Sequence, residues 1–254
     1  MTIKTTTFLK RYLSRLASLL RFIIPYPNND NKSNLLSNFY RILINQQFFP
    51  IVIYDIGANK GTWTEYCIAY FPNAKYYLFE PQPFLKKNIE ARLGKFDNVK
   101  LFTVGVGNQT GDQLFTYHER DDSCTFSMTE DEAKRRGYRQ VKTPIVNLDS
   151  FIKDNSLESP HMLKIDAEGL DIEVLEGARN TLEQHVEIVL VEVGIMNKHV
   201  KNSALSVLMY MEKLGFRLFD ITDLNRPFSN KVLWLCEFVF IKKNGKLDKD
   251  YSTL

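Results

Sequence analysis

The sequence predicts an α/β protein: a doubly wound, Rossmann-like fold around a mainly parallel seven-stranded sheet that ends in an antiparallel C-terminal strand pair. Three observations predict it. From residue 51 onward, short continuous apolar runs alternate with helical stretches. A run that is apolar at every position belongs to a strand covered on both faces, and such parallel strands are joined by right-handed crossovers. A glycine-containing turn, Asp55-Ile-Gly-Ala-Asn-Lys-Gly61, falls where the first run ends and the first crossover helix begins. The last two runs, 216–220 and 232–242, are joined by a loop too short and too rich in Asn and Pro for a crossover helix, so they pair antiparallel.

The 254 residues, 44% hydrophobic and 25% charged, suit one large domain with a short N-terminal extension. A net charge of +3, with 33 basic against 30 acidic residues, gives no ground for a nucleic-acid partner. Cys67, Cys124 and Cys236 are widely separated and lack metal-ligand spacing, so neither a disulfide framework nor a zinc site is indicated and a reducing, cytoplasmic setting is expected.

Residues 8–24 are apolar at helical spacing with Lys10, Arg11, Arg15 and Arg21 interleaved, the pattern of a basic amphipathic helix. Arg15 and Arg21 interrupt it well short of the roughly 20 residues that span a bilayer, and no small-residue cleavage site follows, so neither a spanning helix nor a signal peptide is expected. Two uses remain open to it: peripheral contact with anionic lipid at the inner face of a membrane, or packing on its own domain or on a second copy in a homo-oligomer. The proline-containing stretch 25–32 is a linker, which makes 1–32 an extension and 33–254 the domain.

Within the domain, helices are expected over 33–46, with Leu35, Leu36, Phe39 and Ile42 on one side, and over 61–71, 83–93, 170–182 and 203–214. Strands are expected over 51–56, 75–79, 99–104, 162–165 and 186–193. Between 112 and 146 the pattern changes to short alternating segments rich in polar residues, 113–117 and 140–146, which read as an inserted hairpin and lid.

The two glycines of the first turn let backbone come close to a ligand, with helix-terminal amides facing it. Glu80 follows the second strand, about 20 residues further on, where a carboxylate can accept both hydrogen bonds of a ribose diol. A tight strand-to-helix turn also needs glycine for geometry alone; Glu80 is what points to an adenosine-containing cofactor. The dinucleotide pattern is incomplete, because Asn59 and Thr62 stand where its second and third glycines belong. Asp55 beside the turn suits a ligand carrying a sulfonium and an ammonium and opposes a diphosphate. S-adenosyl-L-methionine is the cofactor these residues favour.

Three stretches also carry a family resemblance: Asp55-Ile-Gly-Ala-Asn-Lys-Gly-Thr62, Phe79-Glu-Pro81, and Leu148-Asp-Ser-Phe151 followed by Leu163-Lys-Ile-Asp-Ala-Glu-Gly169 and Glu173-Val-Leu-Glu-Gly-Ala178. With them the chain resembles the FkbM family of class I S-adenosylmethionine-dependent methyltransferases, from about residue 51 to about 193, leaving the first fifty residues uncovered. The resemblance implies O-methylation of a hydroxyl on a sugar, a glycan or a glycosylated small molecule. It places Asp55, Gly57, Ala58, Asn59 and Gly61 along the methionine part of the cofactor, Glu80 on the ribose, and the adenine near Val106 and Gly107. The turn Asp121-Asp-Ser-Cys124 matches the family only loosely.

In a doubly wound sheet, ligands bind beyond the carboxyl ends of the strands, where Asp166, Glu168 and Glu192 fall. Methyl transfer needs an acceptor oxygen aligned with the methyl group and relieved of its proton. Asp166, Glu168 and Glu192 are the catalytic candidates. Asp166 could act as base, or Asp166 and Glu192 could share Mg²⁺ that acidifies the hydroxyl. Structural readings stand beside these. Glu168 could interact with a helix dipole, Lys164 could be an ion-pair partner of Asp166, and Asp149 could be an N-cap. His118, in the insertion, is the one histidine with a case as a base; His161, His185 and His199 read as turn or surface residues. Trp63 and Tyr66 read as core. Two rival functions are a non-catalytic scaffold that recruits partners through the N-terminal helix, and an NAD-dependent oxidoreductase.

Overall fold

The computed structural model describes residues 31–196 and 201–250; the expected helix over 8–24, the linker as far as residue 30, and His199 lie outside them. The chain begins with helix α1 (Asn31–Asn45) and then alternates β1 (Val52–Ile56), α2 (Thr62–Ile68), β2 (Lys75–Phe79), α3 (Lys86–Leu93) and β3 (Val99–Phe102). After an insertion it resumes with α5 (Leu148–Asp154), β7 (Met162–Ile165), α6 (Asp171–Gly177), α7 (Arg179–Gln184), β8 (Ile188–Gly194), α8 (Ala204–Lys213), β9 (Phe216–Asn225) and β10 (Leu235–Lys242). The seven-stranded sheet has the order β3-β2-β1-β7-β8-β10-β9. In this sheet β10 runs against the direction of the other six strands, between β8 and β9.

Because strand side chains alternate between faces, each strand feeds two cores. Tyr54, Ile56, Leu163, Ile165, Val189 and Val191 pack against Leu148, Val174, Leu175, Leu182 and Val207 from α5 to α8. Ile53, Leu78, Met162, Ile188 and Leu190 face the other way, against Phe39, Tyr40, Cys67, Ile68 and Ile89 from α1 to α3. Trp63 and Tyr66 join this second core, both edging Tyr40. None of the described helices is long and apolar enough to cross a membrane.

Three departures from expectation have identifiable physical reasons. The third strand stops at Phe102, and Gly105–Gly107 (β4) instead opens a separate three-stranded sheet with β5 (Gly111–Tyr117) and β6 (Arg139–Asn147), with helix α4 (Glu130–Arg136) between the last two. The insertion therefore starts earlier than its polar composition indicates. The expected helix over 170–182 is two helices, broken at Ala178 (φ −106°). Asp149 is not the N-cap of its own helix; Asn147 accepts from the Ser150 N–H there. The Asp149 carboxylate accepts instead from the Asn180 N–H, the Thr181 N–H and the Thr181 hydroxyl, so it caps α7 from across the fold and stabilises the break. Asp149→Ala is expected to lower unfolding free energy by about 1–2 kcal/mol in urea titration, the range of a lost cap.

Candidate active site

A cleft opens beyond the carboxyl ends of β1, β2 and β7, where the strand order passes from β1 to β7. Its walls are Ile56, Gly57 and Asn59 from the first turn, Phe79, Glu80 and Gln82 after β2, and Asp166 and Glu168 after β7; Val106, Phe115, Cys124 and Phe126 of the insertion complete it. The empty volume, open mouth included, is about 590 Å³.

The glycine turn does not present the amide cradle expected of it. The Gly57 and Ala58 N–H groups both donate to the Phe79 carbonyl at 2.9 and 3.1 Å, and Gly61 donates to the Ala58 carbonyl at 2.8 Å. Asn59 N–H donates to Glu80 Oε2 at 2.7 Å, and Lys60 N–H to Asn59 Oδ1 at 2.8 Å. All five amides are satisfied inside the fold, so the turn has none left for a pyrophosphate. Gly57 is required for closeness: a Cβ there would lie 1.8 Å from the Asp166 carbonyl oxygen, and its φ is +76°. Gly61 serves packing instead, its φ at +74° and its missing Cβ leaving room for Leu93. Ala58 is buried and, like Gly61, is absent from the cleft wall.

Glu80 is almost wholly buried yet borders the cleft. Its two oxygens each accept one backbone N–H, from Asn59 and from Gln82. A carboxylate oxygen can accept two bonds, so each retains capacity for a ribose hydroxyl. Burial raises the Glu80 pKa, against the lowering by those N–H donors. Gln82 is a wall residue that the motif reading missed; its amide donates to the Asp121 carbonyl, and its own carbonyl oxygen is buried with no donor among the described residues.

Asp55 is a correction. It is 0% exposed and does not reach the cleft. The parallel register sets it directly beside Lys164, and the side-chain alternation puts both on the face covered by α2. Thr64 of α2 donates to Asp55 Oδ2 at 2.6 Å, and the Lys164 ammonium lies 3.5 Å from Oδ1. Asp55 thus ties the turn to the sheet from below. Lys164, 5% exposed, also reaches Asp166 Oδ2 at 3.2 Å and the Gly57 carbonyl at 3.5 Å. Burial alone would lower its pKa, but Asp166, Asp55 and Glu237 outweigh burial and raise it, keeping the ammonium charged. The ion-pair reading of Lys164 holds, and Asp166, with 35% of its side chain exposed, is the carboxylate that this pair presents to the cleft.

Glu192 is a second correction. It lies on β8 opposite Glu237 of β10, away from the cleft wall. Burial, followed by the charges of Asp166, Glu168 and Asp171, pushes its pKa up. Among the described residues no group of three or more His, Cys, Asp or Glu side chains is arranged to hold a metal ion. Glu168 does border the cleft, at φ +49°, three residues before α6 begins, which takes it out of the helix's first turn. That turn belongs to Asp171, which accepts from the Ala167 and Gly169 N–H groups and from the Asn202 amide. Asp171 holds the loop that carries Asp166 and Glu168. Val106 borders the cleft, whereas Gly107 faces a neighbouring pocket. His118 is off the wall, its ring against Tyr138, with burial and then Arg136 lowering its pKa.

Three contacts fasten the insertion over the cleft. Lys60 of the glycine turn pairs with Asp121 at 2.6 Å, Gln82 donates to the Asp121 carbonyl, and Thr125 donates to the Glu168 carbonyl at 2.6 Å. The lowest-lying of the carboxylates around this loop, Asp171, is 1% exposed, and burial raises its pKa to about 6 against the pull of its N–H donors. Its folded value lies above its unfolded one, so the stability it contributes is complete below about pH 4 and is lost as pH rises through about 6. Urea midpoints measured from pH 4 to 7 are expected to fall more steeply for wild type than for Asp171→Asn; parallel slopes would contradict this.

The Methyltransferase FkbM domain matches residues 55–218. The hexuronic acid methyltransferase AglP of Haloferax volcanii is 28% identical over 192 residues, 73% of this chain and 71% of AglP. The 2-O-methyltransferase NoeI of Sinorhizobium fredii is 25% identical over 144 residues, 52% of this chain and 58% of NoeI. The AMB antimetabolite synthetase AmbE of Pseudomonas aeruginosa is 25% identical over 177 residues, and the chain spans 8% of its length. From the glycine turn through the Asp166 loop to the start of the antiparallel pair, this chain belongs to the FkbM methyltransferase family.

Proposed function

We propose that the chain is an S-adenosyl-L-methionine-dependent O-methyltransferase acting on a hydroxyl of a sugar, a glycan or a glycosylated small molecule. One observation carries the cofactor: a glycine turn with all five amides satisfied, set beside a buried carboxylate, Glu80, whose oxygens retain acceptor capacity toward the cleft. That combination suits a nucleoside with a diol and no phosphates. Asp166 and Glu168 give the opposite wall the negative charge that a sulfonium and an ammonium favour, and Val106, Phe115 and Phe126 offer apolar surface to an adenine. The sugar-type acceptor is supported by the names of AglP and NoeI, a hexuronic acid methyltransferase and a 2-O-methyltransferase.

The bound cofactor supplies an electrophilic methyl group. Asp166 orients the acceptor hydroxyl and would take its proton as the oxygen accepts the methyl group that the cofactor would supply. Lys164 holds that carboxylate in one place from behind. We assign Asp166 to the proton and not to Mg²⁺, because the Lys164 ammonium already supplies positive charge beside it. The test is transfer of labelled methyl to a panel of sugars. Asp166→Asn is expected to lower turnover at saturating cofactor by on the order of 10²–10⁴-fold, and EDTA to leave wild-type turnover unchanged. A loss under tenfold would remove Asp166 from the chemistry; activity abolished by EDTA and restored by Mg²⁺ would return it to metal ligation.

A further inference from the structure

We infer that the insertion builds a second carbohydrate pocket beside the cleft, which holds the next sugar of a glycan acceptor through Asn108, Gln109, Gln113 and Glu173. The inference rests on the sugar-acceptor reading above. The pocket lies between the insertion and α6, and Phe126 borders both it and the cleft. Ser127 borders the pocket, while two residues earlier Thr125 is bonded to the carbonyl of Glu168, a cleft residue. A single short segment, 125–127, therefore separates the two spaces.

The chemistry of the walls selects the ligand. Three side-chain amides meet there, and each both donates and accepts, as a sugar hydroxyl does. Glu173 Oε1 takes the Lys201 ammonium at 3.1 Å, which leaves the pocket with no net charge to attract a phosphate or an acidic peptide. Its Oε2 is buried with no donor among the described residues. Ile145, Leu170 and Phe126 supply the apolar surface for the C–H face of a sugar ring. Asn108 already donates to Glu176 Oε2 at 2.8 Å and Gln113 to the Phe126 carbonyl at 3.4 Å, so each of these amides keeps one N–H and its carbonyl oxygen for a neutral polyol.

The experiment compares methyl glycosides of glucuronic acid, glucose and fucose, each against a trisaccharide that ends in the same residue, as acceptors for wild type, Gln113→Trp and Glu173→Gln. Tryptophan on β5 is compatible with a strand and fills the pocket; glutamine at 173 keeps the shape and removes the charge. For wild type the trisaccharide is expected to have the lower KM. Each variant is expected to raise the trisaccharide KM about tenfold, with kcat, the monosaccharide KM and calorimetric cofactor affinity unchanged. Equal KM values for both lengths in wild type, or variants that leave the trisaccharide KM in place, overturn the pocket and leave the sugar reading standing. Absence of transfer to any sugar, with cofactor binding intact, overturns both.

Discussion

The arrangement depends on one buried cation. Lys164, directly beside Asp55 in the parallel sheet register, touches Asp55 below, the Gly57 carbonyl beside it and Asp166 at the cleft. These are the end of β1, the glycine turn and the end of β7, the three pieces of backbone that must be mutually fixed for a ligand to see one surface. Removing a charge from such a buried set strands the carboxylates that faced it, at a cost of about 3–5 kcal/mol. The same ammonium that holds the fold together at this point therefore also decides where the Asp166 carboxylate stands at the cleft.

Around that cation the carboxylates divide by environment and not by residue type. Asp55 is enclosed and structural, and Asp171 is enclosed and holds the loop. Glu192 and Glu237 face each other across β8 and β10, and burial raises both, Glu237 to about 7. Asp166 combines a cationic neighbour, Lys164, with a place on the cleft wall. Similar acids set apart by surroundings are the usual way one site holds both neutral and charged carboxyl groups.

Much of this was legible in the residues. Continuous apolar runs gave the parallel sheet, and the short last connection gave the antiparallel pair, because covering both faces of a strand leaves a periodicity that survives in sequence. The positions of Gly57, Asn59, Glu80, Asp166 and Glu168 at the cleft were legible for the same reason: strand ends locate themselves. Which way a side chain points at a strand end was harder. Asp55 read as a cofactor contact, yet the two-residue alternation from Ile53 already places it on the α2 face. The trans cap of Asp149, the hold of Asp171 and the wall position of Gln82 depend on contacts between distant segments, which local pattern does not carry. The insertion began earlier than its composition showed, because β4 is short and as apolar as the strands of the main sheet.

The central claim is that the cleft accepts an adenosine bearing a sulfonium and no diphosphate. Calorimetric titration of the purified chain with S-adenosyl-L-methionine, with NAD, and with S-adenosyl-L-methionine against Glu80→Ala tests it most directly. The account predicts saturable binding of S-adenosyl-L-methionine, none of NAD, and a loss of about 1–3 kcal/mol in binding free energy when the Glu80 carboxylate is removed. Binding of NAD, or affinity for S-adenosyl-L-methionine untouched by Glu80→Ala, would contradict it.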